Sequence, residues 1–208
     1  MDWKKRSFDI AAALFLITIL WPLIAVVAVA ILLRDGRPVL YKAERMRGVD
    51  QPFFLLKFRT MTVVAQDSGV SGKDKEDRIT ALGRTLRARR LDELPQLWNV
   101  LTGDISFVGP RPPLRSYVER FPEVYAEVLK SRPGITGLAT LVYHKTEERL
   151  LSGCETREDT DRIYARRCVP RKARLDLLYA KNRHLCWDIW LMFATVFRKM
   201  TIRGRRRL

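Results

Sequence analysis

The chain has only three cysteines, two histidines and fewer acids than bases, and each shortage removes a class of function. Cys154, Cys168 and Cys186 show no CxxC spacing. Neither a zinc site nor a disulfide framework is therefore indicated, and a reducing compartment is the simpler setting. With His144 and His184 alone, a Ser/His/Asp triad or a histidine-rich metal site lacks its members. Asp and Glu total 23 against 39 Lys and Arg, a formal charge of +16. That balance favours a polyanionic partner: nucleic acid, a phosphorylated substrate or an anionic lipid surface. At 208 residues and 24.2 kDa the chain suits one compact core with at most a small appendage.

Charge is also missing from Ile10 to Leu33, IAAALFLITILWPLIAVVAVAILL. A straight helix of that length would run about 36 Å, enough for a hydrocarbon core of about 30 Å. Pro22 stands near its middle, removes a backbone hydrogen bond and biases Trp21 away from the α region, so a bend is expected there. Lys4, Lys5 and Arg6 precede the run; Arg34, Arg37, Lys42, Arg45 and Arg47 follow it. Basic residues at both ends conflict with an ordinary single span, whose Lys/Arg excess lies on the cytoplasmic side. A helix that enters, breaks at Trp21-Pro22 and returns to the same face removes the conflict. A bent span and a cleaved signal peptide are the alternatives.

Beyond the run, Asp35-Gly36-Arg37-Pro38 is turn chemistry, and VLYKAERM and PFFLLKFRTM read as two strands of a hairpin. Residues 62–80 lack apolar periodicity and read as a mobile loop. Helices are predicted over about Thr80–Arg90, Asp92–Thr102 and Arg115–Lys130, and the prolines of SFVGPRPP fix an extended turn. Residues 144–170 form a charged insertion, helical or partly ordered. LCWDIWLMFATVF is too short to cross a bilayer. It reads either as an interfacial helix, with the basic tail 198–208 drawn to anionic lipid, or as a core helix. The fold expected is α+β, mainly helical with a small β-hairpin or sheet. Residues 1–34 are expected to form the re-entrant membrane helix and 35–208 a single membrane-associated domain.

The stretch RLDELPQLW sets Asp92 and Glu93 side by side. Asp92 could be a helix N-cap, with Glu93 in the first turn and Pro95 tolerated there. The surroundings suggest more: Arg84, Arg87, Arg89 and Arg90 precede the pair, Arg111 follows it, and Lys57 and Arg59 lie in KFRTM. Phosphoryl transfer uses such a set, because its transition state spreads negative charge over oxygens that Arg, Lys and a divalent metal must hold. Neighbours on a helix point about 100° apart, so the two acids take different jobs. One can bind Mg²⁺ while the other attacks phosphorus. Nearby cations and the helix N-terminus are expected to keep the attacking acid ionised.

At these residues the chain resembles the bacterial sugar transferase family, the monotopic polyprenol-phosphate phosphoglycosyl transferases. The likeness runs through KKRSFDI, GRPVLYKAERM, PFFLLKFRTM, DRITALGRTLR, RLDELPQLWNVLTGDISFVGPRP, RPGITGLA, LDLLYAKN and WDIWLMFATV. It implies transfer of a sugar phosphate from a nucleoside diphosphate sugar, commonly a UDP-sugar, to polyprenol phosphate at the cytoplasmic face of the bacterial inner membrane, releasing UMP. By resemblance Asp92 is the nucleophile that carries a covalent phosphosugar, Glu93 helps hold Mg²⁺, and Arg87 supports the pair. Lys57, Arg59 and Arg111 match positions near the substrate phosphates, and the family implies a re-entrant helix. Trp21-Pro22 stands where the family often has Ser-Pro, Ala88-Arg89-Arg90 where it has Lys-Thr-Ser, and GLATL where it has GWAQV. Asp176, Tyr179 and Asp188 match later positions to which no chemistry is attached. A membrane-tethered nucleic-acid binder, favoured by charge alone, lacks any helix-turn-helix, zinc or RNA-binding signature, so no nucleic acid partner is expected. A non-catalytic membrane scaffold sits poorly with an intact Leu-Asp-Glu motif. The sequence does not set an oligomeric state.

Overall fold

The computed structural model describes residues 2–63, 77–154 and 156–197. Most of the expected loop over 62–80, namely 64–76, and the basic tail 198–208 lie outside the described residues.

Helix α1, Trp3–Arg34, contains the whole apolar run. Asp2 caps its start by accepting from Lys4 N at 3.3 Å. The helix runs through Trp21 and Pro22 without interruption, so the predicted break does not divide it; proline's lost hydrogen bond is absorbed inside a continuous helix. The left-handed Gly36, at φ 77°, then turns the chain, its N–H bonding Ile31 O at 3.0 Å. Few side chains of α1 are covered: Asp9 and Ala13 near one end, Val27 and Ile31 near the other. Each pair is four residues apart and so shares a face. Leu14, Phe15, Ile19, Trp21, Val26 and Val29 stay exposed. By length and composition α1 is sufficient to cross a membrane.

The predicted hairpin is present, with β1 at Leu40–Gly48 and β2 at Gln51–Phe58, antiparallel and in register from Leu40↔Phe58 to Met46↔Pro52. Alternation puts Phe53 and Leu55 inside and leaves Phe54 exposed. Next come α2, Ala81–Ala88, a 3₁₀ turn, Leu91–Glu93, and α3, Gln96–Thr102. The helix expected from Asp92 therefore begins four residues later. Arg90 is left-handed at φ 56° and Pro95 takes the N-cap position, so the acids lie in the tight turn between two helices and Asp92 caps neither. Strand β3, Ser106–Val108, pairs in parallel with β4, Gly134–Thr136. The pairing is close: a Cβ on Gly134 would stand 2.2 Å from Gly109 N. The helix predicted over 115–130 is two, α4 at Arg115–Arg120 and α5 at Pro122–Val128, because Pro122 has no N–H to continue the ladder.

The charged insertion is helical: α6, Leu138–Leu151, and α7, Arg157–Ile163, followed by a π turn, Tyr164–Cys168. Helices α8, Val169–Asn182, and α9, Leu185–Val196, complete the described chain. The main core joins α1 to the hairpin, α3, β3 and α9 through Ala13, Phe53, Leu55, Leu97, Val100, Phe107 and Leu191. Among the described residues the fold is thus mainly helical with two small sheets, in keeping with the class read from the sequence.

Both ends of α1 are fastened to this one body. At the first end, Lys5 Nζ meets Asp188 Oδ2 at 2.5 Å, and Tyr179 OH donates to Asp188 Oδ1 at 2.5 Å. Arg6 donates to Val100 O and Leu101 O at 2.6 and 2.7 Å, closing the free carbonyls at the end of α3. At the other end Val27 and Ile31 pack with Phe58 and Leu86, and Thr80 Oγ1 donates to Asp35 Oδ2 at 2.9 Å.

Candidate active site

The acid pair opens onto a cavity of about 1,300 Å³ that also takes in Lys57, Arg87, Arg89, Arg90 and Arg111. The turn that carries the pair is fixed from both sides. Downstream, buried Asn99 of α3 grips the outer edge of the hairpin: its Oδ1 accepts from Leu56 N and its Nδ2 donates to Phe54 O, each at 2.9 Å. Upstream, α2 lies so close to the segment just after β2 that a Cβ on Gly83 would stand 2.1 Å from Thr60 O. That contact lets Arg87 Nε donate to Thr60 Oγ1 at 2.8 Å.

Asp92 is only 8% exposed. Burial pushes its carboxyl above the ordinary aspartate range; Lys57 and Arg87 pull the other way, and Glu93 adds to the rise. The cations expected to favour its charged form do act on it, but desolvation by burial is the larger influence. Glu93 behaves oppositely. Burial opposes its charge, but Lys57, Arg90 and Arg111 outweigh burial and hold it below the usual range. Lys57 Nζ lies 3.5 Å from Glu93 Oε1, while Arg90 reaches Glu93 Oε2 through Nη2 at 2.5 Å and Nε at 3.1 Å. Burial and Arg111 in turn depress Lys57, partly offset by Glu93 and Asp92. Two adjacent carboxylates are therefore driven apart in proton affinity, the pattern of groups with different roles.

Of the residues singled out in the sequence, Asp92, Glu93, Arg87, Lys57, Arg59 and Arg111 all line this cavity. Arg59 is occupied elsewhere: its Nη2 donates to Asp35 O and Gly36 O at 2.5 and 2.8 Å, and its Nη1 to Arg37 O at 3.1 Å. It ties down the turn leaving α1. Trp21 and Pro22 stay on α1 away from the cavity wall. Sequence reasoning did not single out Thr60 or Asn99 as site residues, and it counted Arg90 among the cations around the pair without joining it to Glu93. The first two lie inside the KFRTM and PQLWNV motifs, which was the available signal. Among the described residues no group of three or more His, Cys, Asp or Glu side chains forms a metal cluster. The donor set still suits Mg²⁺, which takes one or two carboxylates, keeps waters and completes its shell with substrate phosphates.

The family model described as bacterial sugar transferase matches residues 1–202. The chain belongs to the bacterial sugar transferase family. It is 43% identical over 201 residues to a UDP-glucose:undecaprenyl-phosphate glucose-1-phosphate transferase of Caulobacter vibrioides, covering 94% of this chain and 69% of that protein. A UDP-N-acetylgalactosamine-undecaprenyl-phosphate N-acetylgalactosaminephosphotransferase of Aeromonas hydrophila is 34% identical over 208 residues, covering 97% of this chain. A UDP-glucose:undecaprenyl-phosphate glucose-1-phosphate transferase of Escherichia coli is 32% identical over 198 residues, covering 93%. The chain spans 45% of the Aeromonas protein and 39% of the Escherichia coli one.

Proposed function

We propose that this sugar transferase family member moves a sugar phosphate from a UDP-sugar to polyprenol phosphate through a covalent intermediate on Asp92, releasing UMP. The observation that carries the reading is a buried aspartate, raised in proton affinity, facing a cavity rich in Arg and Lys beside a long apolar helix. The relatives' names support the substrate classes.

In the first step a carboxylate oxygen of Asp92 attacks the phosphorus that bears the sugar. The new O–P bond forms as the bond to the leaving phosphate breaks, and UMP departs with that electron pair. In the second, a phosphate oxygen of the polyprenol carrier attacks the same phosphorus, the acyl phosphate bond breaks and the carboxylate is restored. Neither step needs a net proton. Lys57 and Arg111 offset charge on the diphosphate, and Arg87, braced on Thr60, faces the reacting group. Glu93, with the substrate phosphates, would hold Mg²⁺, which supplies electrostatic neutralisation of the diphosphate when bound.

The location we infer draws on α1 and on the basic residues at both of its ends. A helix of about 48 Å whose two ends both grip one globular body does not place that body on one side of a span. This supports a monotopic arrangement, and the Lys/Arg excess at both ends of the apolar run supports the cytoplasmic face of the bacterial inner membrane. Helix α1 dips into one leaflet, and α9, with Trp190 and Phe193 exposed, lies near anionic headgroups.

The test is UMP release by full-length protein in lipid. Wild type should require a UDP-sugar, polyprenol phosphate and Mg²⁺ for turnover, and chelation should stop it. Asp92→Asn should lower turnover by on the order of 10³-fold or more. Unchanged turnover in that variant would exclude the assigned nucleophile.

A further inference from the structure

Behind Arg111 lies a second cavity, of about 350 Å³, within the range of about 300–1,000 Å³ typical of ligand pockets. Arg45, Arg111, Thr140 and His144 belong to the walls of both cavities, so the two meet at a pair of arginines. The second is otherwise built largely by α4 to α8, including the charged insertion for which the reaction described above has no use.

Its lining suits hydroxyl groups. Lys172 Nζ donates to both oxygens of Glu147 at 3.1 Å and to Tyr164 OH at 3.2 Å. Tyr164 stacks obliquely on Tyr117, ring centroids 4.9 Å apart, and Tyr125 completes an aromatic wall. Asp176 is 7% exposed and has no hydrogen-bond partner among the described residues. Burial pushes its carboxyl up to about 7, with Lys172 opposing the rise. Its carboxyl opens onto the cavity, where a bound molecule can reach it. A ligand hydroxyl would supply the missing partner.

We propose that this cavity receives a hydroxyl-bearing ring of the nucleotide sugar, held by Asp176 and Glu147 against the faces of Tyr164 and Tyr117. The inference rests on the transferase reading. A nucleotide sugar carries two such rings, the sugar and the ribose, one on each side of its diphosphate. With the phosphates at the arginines of the shared wall, one ring enters the second cavity. Vicinal hydroxyls satisfy paired acceptors, and the apolar side of a ring covers tyrosine faces.

The experiment uses full-length protein in lipid with UDP-glucose and UDP-N-acetylgalactosamine as donors, and UMP and 2′-deoxy-UMP as inhibitors. Asp176→Asn and Glu147→Gln should each raise the donor KM by roughly 10-fold, the effect of one lost hydrogen bond, with a smaller change in kcat. If the ring is the sugar, the ratio of the two donors' KM values changes and UMP inhibition does not. If it is the ribose, both donors weaken together and the preference for UMP over 2′-deoxy-UMP shrinks. The proposal is overturned if KM, the donor ratio and the UMP preference all stay at wild-type values, or if kcat alone falls together with the melting temperature. Should Asp176→Asn fail to fold, Glu147→Gln and Tyr164→Phe decide alone. Wild-type turnover tests the transferase reading separately: absence of any transfer refutes that reading, whereas transfer with indifferent variants refutes only the pocket.

Discussion

Thr60 illustrates how much of the site depends on side chains that touch no substrate. Its hydroxyl accepts from Arg87 Nε while its carbonyl lies against Gly83, so one residue sets both the spacing of α2 and the aim of the arginine. Thr60→Val keeps the shape and removes the acceptor. It should lower kcat about 10-fold with little change in melting temperature, since one positioning bond is worth about 1.4 kcal/mol. Steady-state UMP release beside a thermal melt checks this. Asp176 offers a test by pH. Its carboxyl is raised from 3.8 to about 7 in the folded protein, which therefore holds a proton that the unfolded chain has already lost. Stability from this group is present at low pH and declines as pH rises from about 4 to about 7. Asp176→Asn lacks that decline. Its melting temperature relative to wild type should be higher at pH 8 than at pH 5, and an equal difference at both would remove the argument.

Among the elements, the link between α1 and α3 carries most consequence for the turn that bears the acid pair. Arg6 closes the last carbonyls of α3, and Asn99 holds the same helix to the hairpin. Asn99→Ala leaves the Leu56 N–H and Phe54 carbonyl without their partner and should destabilise the protein by about 2–3 kcal/mol, read as a fall in the denaturation midpoint. What the sequence disclosed at this scale follows from range. The hairpin was legible because alternation is a local signal, and the acid pair with Arg87 and Lys57 because charge clusters within two short motifs. Helix starts were misplaced where backbone geometry intervenes: left-handed Arg90 tightens the turn before Pro95, and Pro122 divides a helix that periodicity would continue. The β3–β4 pair was not foreseen, since three-residue strands joined across a long connection leave no periodic trace. The structural part of Arg59's role was illegible for the same reason: its acceptors are carbonyls 22 to 24 residues earlier, in a turn that reads only as a link.

At the scale of the whole molecule, the charge pattern around the apolar run and the two anchor points of α1 agree. Lys5 and Arg6 engage α9 and α3, and the turn at Asp35 engages Arg59 and Thr80. Accessibility labels at residue 2 and at residue 35 should therefore both react from the cytoplasmic side in intact cells. Labels on opposite faces would exclude the monotopic arrangement. Removing the first anchor by Lys5→Ala together with Asp188→Asn should lower the melting temperature, because both partners are nearly covered and linked to Tyr179.

The clasp of Arg6 on α3 has a mechanical side. Seven residues of backbone, Gln96–Thr102, join that clasp to the turn bearing the two acids, while the other end of the lever is an oily rod with most of its surface bare. In the arrangement proposed above, a change in bilayer thickness is expected to pull on α1 and, through the Arg6 clasp, on the turn bearing Asp92. Turnover in vesicles of graded acyl-chain length should accordingly pass through a peak, while the same protein in loose micelles stays folded yet works slowly.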